Sequence, residues 1–388
     1  MLISKLLLRE EVVELASAVK EFCEREFKDA LEWDRQEYMP PELWKKMGEI
    51  GLTGMMLDSD LGGLGDDLLA SVVILEEMSV YSPAVAMSLG AHAVLCGYVI
   101  NRAGNKKQKE KYIPPIATGE KIGALCITEP EVGSDAASIK TKAIKKGDRY
   151  ILRGSKIFIT NGPVADIFVV YARTSDDPKR GISAFIVEKD FGNISVEKIH
   201  KMGMRASPTG LVTFNDTEVP EENLLGSEGE GIYIMMGGLD VERIALSGSN
   251  LGMIKGSLDI ASNYAKERIQ FGQPIINYQL IQEKLAYMLA QLELNRLYLY
   301  HLAEVWRNYP ESRKKLRTAT AIVKMTSARA ALRAAEEAIQ ILGGYGYTTD
   351  YRVQMYWRDA KLYEIGAGTT EMMKLLIARR VKEGFIDL

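Results

Sequence analysis

The stretch that most constrains the fold of this chain is a long predicted helix between Gly238 and Gly272. Its apolar residues recur at steps of three and four, which predicts one buried face. Three glycines, Gly248, Gly252 and Gly256, form a second row at four-residue steps. Because each glycine costs about 1 kcal/mol relative to alanine inside a helix, this row predicts a very close neighbouring helix.

Two charged residues, Glu242 and Arg268, lie near opposite ends of this predicted helix. Because they are 26 positions apart, at about 1.5 Å per residue, we expect roughly 39 Å between them. A single small ligand cannot reach both, so if both are functional, Arg268 is expected to serve a site in another subunit. The alternative is that Glu242 pairs with a neighbouring base and that Arg268 is a solvated charge favoured by the helix dipole.

Length and composition indicate an ordinary globular protein. The chain has 388 residues, 47% of them hydrophobic and 26% charged, which allows two or three domains with sizeable cores. A net charge of -3 gives no reason to expect nucleic acid or an anionic membrane surface as a partner. The three cysteines, Cys23, Cys96 and Cys126, lack any metal or redox spacing, so we expect no metal and a reducing, cytoplasmic compartment.

Two apolar stretches share some features with targeting or membrane segments. The N-terminal stretch becomes acidic by Glu10 and has no small-residue cleavage site, so we interpret it as mature helix. No charge occurs between Ser79 and Asn101, a run long enough to span a membrane. Because this run contains Pro83, His92 and several serines and glycines, its composition favours a buried helix.

The chain divides into three predicted regions, which together give an α+β fold. Residues 1–122 are predicted to be helical, with Asp66 or Asp67 as the N-cap of a helix after a glycine turn. Residues 123–228 contain short segments of β-branched and aromatic residues, which predict an antiparallel β domain with strands at 150–160, 166–174, 181–189, 194–199 and 210–220. Residues 229–388 return to a helical pattern, with helices predicted at 231–268, 280–308, 315–342 and 370–381.

Four loops have the composition of ligand-binding segments. The segment ALCITEPEVGSDAAS, from Ala124, is rich in hydroxyl and acidic residues, and KIFITNG places Phe158 beside Thr160 at a strand end. An aromatic face beside a hydroxyl suits a flat heterocycle, although an aromatic residue in a strand is by default core. In QILGGYGY the paired glycines most simply cap a helix. The segment GAGTTE leads into a helix whose N-terminus could receive a phosphate or carbonyl oxygen.

Five segments, ITEPEVGSD, KIFITNG, ERIQFGQPI, QILGGYGY and RDAKLYEIGAGTTE, occur in this order along the chain. Together they resemble the acyl-CoA dehydrogenase family over essentially the whole length. In that family an N-terminal helical domain, a middle β domain and a C-terminal four-helix domain enclose FAD, usually in a homotetramer. The resemblance therefore implies FAD as cofactor, an acyl-CoA as substrate and an electron-transfer flavoprotein as the electron acceptor.

The resemblance also implies roles for individual residues. The flavin and its phosphates would be contacted by Ile127, Thr128, Gly133, Ser134, Phe158, Ile159, Thr160, Thr369 and Glu371. The pyrophosphate and adenosine of a neighbouring subunit's FAD would be held by Arg268, Phe271, Gln279, Gln340, Gly343 and Gly344. The acyl-CoA substrate would meet Ser134, Tyr233, Asp240, Arg243, Gly366, Ala367 and Gly368.

The chain departs from the family pattern at three positions. Val132 stands where a small residue is usual, and Phe158 replaces a commoner tryptophan. Most members carry the catalytic glutamate at the position of Ala367, so the usual base is absent. A narrower resemblance of LYEIGAGTTE and GLDVERIAL to the isovaleryl-CoA dehydrogenase subgroup implies that Glu242 is the base and that Gly366 opens room for a branched acyl chain.

Other interpretations of the catalytic site remain open at this point. Glu364 and Glu371 lie on adjoining segments and are alternative carboxylates. The expected reaction is conversion of a short, branched acyl-CoA to its 2-enoyl-CoA. The substrate could instead be another short or cyclic acyl-CoA, and the flavin could react with oxygen, as in an oxidase. If Glu242 is structural, the chain could be a non-catalytic protein that binds FAD or acyl-CoA.

Overall fold

The N-terminal region of the protein is helical. The computed structural model describes residues 3–384; residues 1, 2 and 385–388, which belong to the first and last predicted regions, lie outside the described residues. The helices are α1 (Glu10–Glu26), α2 (Ala30–Gln36), α3 (Glu42–Glu49), α4 (Leu68–Ser79), α5 (Pro83–Gly90), α6 (Tyr98–Ala103) and α7 (Lys106–Ala117). The side chain of Asp67 accepts a hydrogen bond of 3.0 Å from the backbone N–H of Ala70, so Asp67 is the N-cap of α4.

Helices α5 and α6 are joined by a π-helical segment, Ala91–Gly97, into one continuous run. This run, Pro83–Ala103, is long and apolar enough to cross a membrane by length and composition, but 94% of its most apolar window is buried inside the protein. His92 lies at its centre, fully buried, and accepts a hydrogen bond of 3.0 Å from the backbone N–H of Gly123. The prediction of a buried helix is therefore confirmed.

A sheet follows in the middle region. Its strands are β1 (Gly123–Cys126), β2 (Lys142–Lys146), β3 (Arg149–Thr160), β4 (Ile167–Arg173), β5 (Ile182–Glu188), β6 (Ile194–Lys198), β7 (Thr209–Pro220) and β8 (Leu224–Leu225). Their order is β6-β7-β3-β2-β4-β5-β8, with β1 paired to β4. The β7, β3 and β2 strands, like β4, β5 and β8, pair antiparallel.

The prediction of a purely antiparallel domain is wrong in one respect. The β1 strand pairs parallel with β4, where Gly123 is opposite Ile167 and Cys126 is opposite Val170, and β2 makes one parallel pair with β4. A parallel pair requires a long crossover connection. The segment between β1 and β4 supplies it, because it contains the ligand-loop candidate and the β2–β3 hairpin.

The C-terminal region returns to helices and begins with the longest one. Its elements are α8 (Gly231–Glu267), a short hairpin of β9 (Ile269–Gln270) and β10 (Gln273–Pro274), α9 (Gln279–Asn308), α10 (Arg317–Leu342), α11 (Arg352–Ile365) and α12 (Thr370–Lys382). The long helix predicted at 231–268 therefore exists, and it runs from Gly231 to Glu267. Helix α11 was not predicted as a helix. The predicted sequence of helical, β and helical regions is confirmed.

The glycine row on α8 faces close neighbours, as its spacing predicted. A β-carbon added at Gly248 would lie 2.3 Å from the carbonyl oxygen of Val72, and one at Gly252 would lie 2.1 Å from that of Glu76. These contacts bring the backbone of α8 directly against α4. Helix α10 packs along α8 as well. The α8 helix is thus the shared core element of the N-terminal and C-terminal regions, and its rigid packing fixes the side chains that it carries.

Candidate active site

Glu242 lies on the buried part of α8. Glu242 is 7% exposed. Burial raises the pKa of its carboxyl to about 7, although the positive charges of Arg243 and Lys324 oppose this shift. Among residues 3–384, the structure places no hydrogen-bond donor on this carboxylate. A carboxylate that is buried, unpaired and poised near neutral pH has the properties of a general base.

The two alternative carboxylates lack these properties. Glu364 is held by Lys361, whose Nζ lies 2.7 Å from its Oε2, and it also faces Arg329. Glu371 is exposed at the start of α12, where its own backbone N–H lowers the pKa of its carboxyl. Glu364 is therefore held in ion pairs, and Glu371 lies at the surface. Of the three candidate glutamates, Glu242 is the one whose environment fits proton abstraction.

The segment Gly366 to Thr369, here called the 366–369 loop, joins α11 to α12 and contacts Arg243, the residue after Glu242 on α8. The guanidinium Nε of Arg243 donates a hydrogen bond of 3.0 Å to the carbonyl oxygen of Ala367. Ala367 has a φ of 54° and Gly368 a φ of 94°, so two consecutive residues adopt the left-handed conformation. Thr369 accepts a hydrogen bond of 3.2 Å from Met372 N and caps α12.

A charged network ties this loop to the expected substrate residues. Arg243 contacts Asp240 through NH1 and Oδ1 at 3.2 Å, and Arg317 contacts the other oxygen of Asp240 at 3.0 Å. Asp240 is buried, whereas Tyr233, two helical turns earlier on the same face of α8, is 63% exposed. The structure thus groups Asp240, Glu242 and Arg243 on α8 with the 366–369 loop, and places Tyr233 on the exposed surface of the same helix.

The two loops expected to hold the flavin are joined by a buried ion pair. Lys156 is fully buried and its Nζ lies 2.8 Å from Glu129 Oε1 and 3.0 Å from the carbonyl oxygen of Ile127. The backbone N–H of Ile157 also donates to Thr128 O at 2.8 Å. These bonds place the start of the ITEPEVGSD segment against the KIFITNG segment, the two segments to which the family resemblance assigns flavin contacts.

The surface between these loops fits a flat heterocycle. Phe158 is 63% exposed and has a φ of 60°, although it lies within β3. An aromatic side chain in a strained backbone conformation, facing outward from a strand, has an unsatisfied apolar face. Ile159 beside it is buried and Thr160 is half-buried, while Gly133 and Ser134 are exposed. Val132 is buried and forms a closed turn with Glu129, so the bulkier residue is accommodated there.

The remaining predicted cofactor residues lie at the other end of α8. A surface cavity of about 490 Å³ is lined there by Arg268, Gly343 and Gly344, together with Tyr264, Gln270, Ile275, Ile341, Leu342, Tyr345 and Thr348. Phe271, in the β9–β10 turn, is 94% exposed, and Gln279 and Gln340 are also exposed. Added β-carbons at Gly343 and Gly344 would meet nothing within 4 Å, so this face is open.

Sequence reasoning missed Lys324, Lys156 and Glu129. Lys324 lies 3% exposed on α10 and donates to the carbonyl oxygen of Gly368 in the 366–369 loop. One signal could have found it: Lys324 falls on the same helical stripe as Thr320, Ala328 and Ala331, which are all buried. A lysine on a buried stripe of small residues indicates a charge that is held inside the fold.

Family models match nearly the whole chain. The acyl-CoA dehydrogenase N-terminal domain matches residues 9–120, the middle domain matches residues 124–217 and the C-terminal domain matches residues 229–382. The chain therefore belongs to the acyl-CoA dehydrogenase family. It is an oxidoreductase of a family that uses FAD and acts on acyl-CoA thioesters, and the exposed Phe158 between the two hydroxyl-bearing loops is consistent with that cofactor.

Relatives and solved structures carry several functional names. The mitochondrial isovaleryl-CoA dehydrogenase of Pongo abelii is 43% identical over 89% of this chain and 81% of its own. The butyryl-CoA dehydrogenase structure from Megasphaera elsdenii has a TM-score of 0.92 and 36% identity, over 97% of this chain and 99% of its own. A chain in the structure of the electron transferring flavoprotein of Acidaminococcus fermentans has a TM-score of 0.93 and 39% identity, over 96% of this chain and 98% of its own.

Proposed function

We propose that this protein dehydrogenates a short, branched acyl-CoA of the isovaleryl-CoA type to its 2-enoyl-CoA, with Glu242 as the base. The observation that carries the proposal is the buried, unpaired carboxylate of Glu242 with its pKa raised to about 7 by burial. It lies on α8 next to Arg243, which contacts Ala367 directly. Because Ala367 has no carboxylate, a base on α8 supplies the group that the 366–369 loop lacks.

The proposed reaction removes two hydrogens from adjacent carbons of the acyl chain. Glu242 takes the α-proton, and the electrons of that C–H bond form the new α,β double bond. Bound FAD supplies the acceptor for the hydride that leaves the β-carbon. Negative charge develops on the thioester oxygen meanwhile, and backbone N–H groups of the 366–369 loop, with that of Ala367 as the expected donor, would stabilise it.

The preference for a branched chain is proposed from the surroundings of Gly366. This residue has a φ of -69°, and an added β-carbon would meet only Leu362, at 3.5 Å or more. Neither the backbone conformation nor close packing therefore requires glycine at this position. Space left beside the loop would take an extra methyl group. The similarity to isovaleryl-CoA dehydrogenase supports the same assignment, while the similarity to butyryl-CoA dehydrogenase makes a straight short chain the competing one.

The proposed holoenzyme uses residues from more than one chain for each FAD. Thr128, Ser134, Phe158 and Thr160 would hold the flavin near Glu242, whereas Arg268 and the cavity at Gly343 lie beyond the far end of the 37-residue helix α8. At about 1.5 Å per residue this helix is roughly 55 Å long. We therefore propose a homotetramer in the cytoplasm, in which the Arg268 end of one subunit meets the flavin of another. An electron-transfer flavoprotein is the proposed acceptor.

The experiment is anaerobic titration of the purified, FAD-loaded protein with a panel of acyl-CoA thioesters, followed by the flavin absorbance. The proposal predicts that isovaleryl-CoA bleaches the flavin faster than butyryl-CoA at equal concentration. Faster bleaching by butyryl-CoA would assign a straight-chain substrate. Reoxidation by oxygen as fast as by an artificial electron acceptor would identify an oxidase. If the protein retains FAD but no thioester bleaches the flavin, the dehydrogenase proposal is contradicted, and the protein is a non-catalytic binder of FAD or acyl-CoA.

A further inference from the structure

Lys324 is a charged residue that the proposed reaction does not use, although it lies inside the active site. Its residue is 3% exposed, and its Nζ donates a hydrogen bond to the carbonyl oxygen of Gly368. Among residues 3–384, this carbonyl is the one hydrogen-bond acceptor found for the three N–H groups of the ammonium. Burying a charge with so few partners costs several kcal/mol, which a purely structural residue of similar size, such as methionine, would avoid.

The 366–369 loop needs external contacts to keep its shape. Ala367 adopts the left-handed conformation, which costs roughly 1–2 kcal/mol for a residue with a β-carbon. Two cationic side chains from different helices donate hydrogen bonds to consecutive carbonyl oxygens of the loop. Arg243 of α8 donates to the carbonyl oxygen of Ala367, and Lys324 of α10 donates to the carbonyl oxygen of Gly368. Because each peptide group is planar and trans, fixing the carbonyl oxygens of Ala367 and Gly368 also fixes the N–H directions of Gly368 and Thr369, which share those peptide groups. The two bonds thereby hold Ala367 in its left-handed conformation, on which the direction of its own N–H depends.

We propose that Lys324 is a positioning residue for the dehydrogenation: by holding the carbonyl oxygen of Gly368, it keeps the left-handed turn at Ala367 and Gly368 in place, so that the N–H of Ala367 stays directed at the thioester carbonyl of the substrate. This inference rests on the proposed function. Lys324 itself touches neither the substrate nor the cofactor in this account. Arg243 fixes one peptide group of the loop, and Lys324 fixes the next.

Lys324 also contributes to the charge around the base. The charged groups that face it are Arg243 and Glu242 from α8, Glu364 from α11 and Glu371 from α12. Burial lowers the pKa of Lys324 to about 8, with a further lowering by Arg243, while the carboxylates oppose the shift. In turn, the positive charges of Arg243 and Lys324 limit how far burial raises the pKa of Glu242. Removing the charge of Lys324 should therefore raise the pKa of that base further.

The test compares two CoA ligands on Lys324→Met and on the wild-type holoenzyme. One ligand is a short acyl-CoA thioester, and the other is a CoA thioether with the same number of carbons but no carbonyl oxygen. Equilibrium binding is measured by calorimetry with FAD bound and with Glu242→Gln present in both proteins, so that the thioester is not oxidised during the titration. We expect Lys324→Met to weaken the thioester about tenfold, the scale of one lost hydrogen bond to a polarised oxygen. The thioether should bind within about twofold of wild type, because it makes no use of the loop N–H groups.

Two further variants separate positioning from general stability. Lys255→Met removes another partly buried lysine, which pairs with Glu77 away from the 366–369 loop, and should leave the ratio of the two affinities unchanged. Lys324→Gln keeps a donor without the charge, and it replaces Lys324→Met in the comparison if that variant does not fold. In either Lys324 variant, the pH profile of flavin reduction should move to higher pH, because the base then has a higher pKa.

The outcomes distinguish this inference from the proposed function. Equal weakening of thioester and thioether, or no weakening of either, would overturn the positioning role of Lys324 while the wild-type protein still reduces its flavin with acyl-CoA. If the wild-type protein itself binds the thioester no better than the thioether and shows no flavin reduction, the proposed function fails and this inference fails with it. Selective loss of the thioester together with the shifted pH profile supports the inference.

Discussion

The two ends of α8 are built in opposite ways. Around Glu242 the helix is buried, and its neighbours Asp240 and Arg243 are tied to Arg317 and to the 366–369 loop by short hydrogen bonds. Around Arg268 the side chains are exposed, and Phe271 has 94% of its surface accessible. The charged neighbours of Glu242 have partners within the same chain. The side chains at the Arg268 end face solvent.

On the proposed function, the buried end is the part of the site that one chain forms by itself, and the exposed end is the part that a second chain completes. A general base needs a desolvated carboxylate, and the folded chain supplies the desolvation by packing α8 between α4 and α10. Phosphate recognition needs charge and open backbone, which stay exposed until a ligand or a second chain covers them. The exposed aromatic and aliphatic side chains near the Arg268 end, Phe271, Leu280 and Tyr347, have the character of a surface that is covered in an assembly.

The largest expected effect is at the buried end. Glu242→Gln keeps the size and polarity of the side chain but removes the proposed base, so flavin reduction by acyl-CoA should slow about a hundredfold to ten-thousandfold. FAD content and acyl-CoA binding should stay close to wild type. Stopped-flow absorbance of the flavin measures the rate. Glu364→Gln is the matched control, because Glu364 is ion-paired to Lys361, and a larger loss there would reassign the base.

The exposed end should respond through cofactor affinity and leave the chemistry intact. Arg268→Ala would remove the proposed charge-assisted contact with the FAD phosphates, worth about 1.5–3 kcal/mol, so the affinity for FAD should fall correspondingly. Lys266→Ala removes an exposed positive charge from the same helical turn and should have little effect. FAD retention on dilution and gel filtration reports both. A stable monomer with full FAD occupancy would contradict the shared site.

Substrate preference should depend on Gly366. Because its φ is -69°, a side chain can be added without backbone strain, and Gly366→Tyr fills the proposed space for the branch. The ratio of kcat/KM for isovaleryl-CoA to that for butyryl-CoA should fall by about tenfold to a hundredfold, the scale of one misfitted methyl group. Gly366→Ala should change the ratio little. Equal losses for both substrates would show that Gly366 does not set the preference for a branched chain.

The smallest expected effect is on stability, and it compares two glycines of α8 itself. An added β-carbon at Gly252 would lie 2.1 Å from Glu76 O, whereas one at Gly237 would meet nothing within 4 Å. Gly252→Ala should destabilise the fold by about 1–3 kcal/mol because α4 must move. Gly237→Ala should stabilise it by up to about 1 kcal/mol, the helix propensity gain. Thermal unfolding of the two variants measures the contrast, and the same sign for both would refute it.

The order of the main regions could be predicted because it depends on local periodicity. The helical pattern of α8 and α9 and the short β-branched segments of β3 to β7 are visible in the sequence. Helix α11 was missed because charged and aromatic residues interrupt its apolar stripe; it is recognisable only through what it packs against. The parallel β1–β4 pair was missed for a related reason, since strand direction is set by chain connections far apart in sequence.

The candidate site could be predicted where a residue's role depends on its type, and not where it depends on its partners. Glu242 was predicted through the family motif, but its burial and raised pKa follow from the packing of α8. Lys324 has no motif that marks it, and its contact with Gly368 joins positions 44 residues apart. The same holds for the buried Lys156–Glu129 pair, which is 27 residues apart in sequence. Long-range polar contacts of this kind are invisible to local patterns.

The central claim is that Glu242 and the 366–369 loop face the same reacting carbon, and moving the carboxylate tests it most directly. The measurement is the rate of flavin reduction by isovaleryl-CoA in the double variant Glu242→Gln with Ala367→Glu. Ala367 already holds a β-carbon in its left-handed conformation, so glutamate adds no backbone strain there. The account predicts a double variant clearly faster than Glu242→Gln alone. A rate no higher than that of Glu242→Gln, with FAD and acyl-CoA still bound, would contradict it.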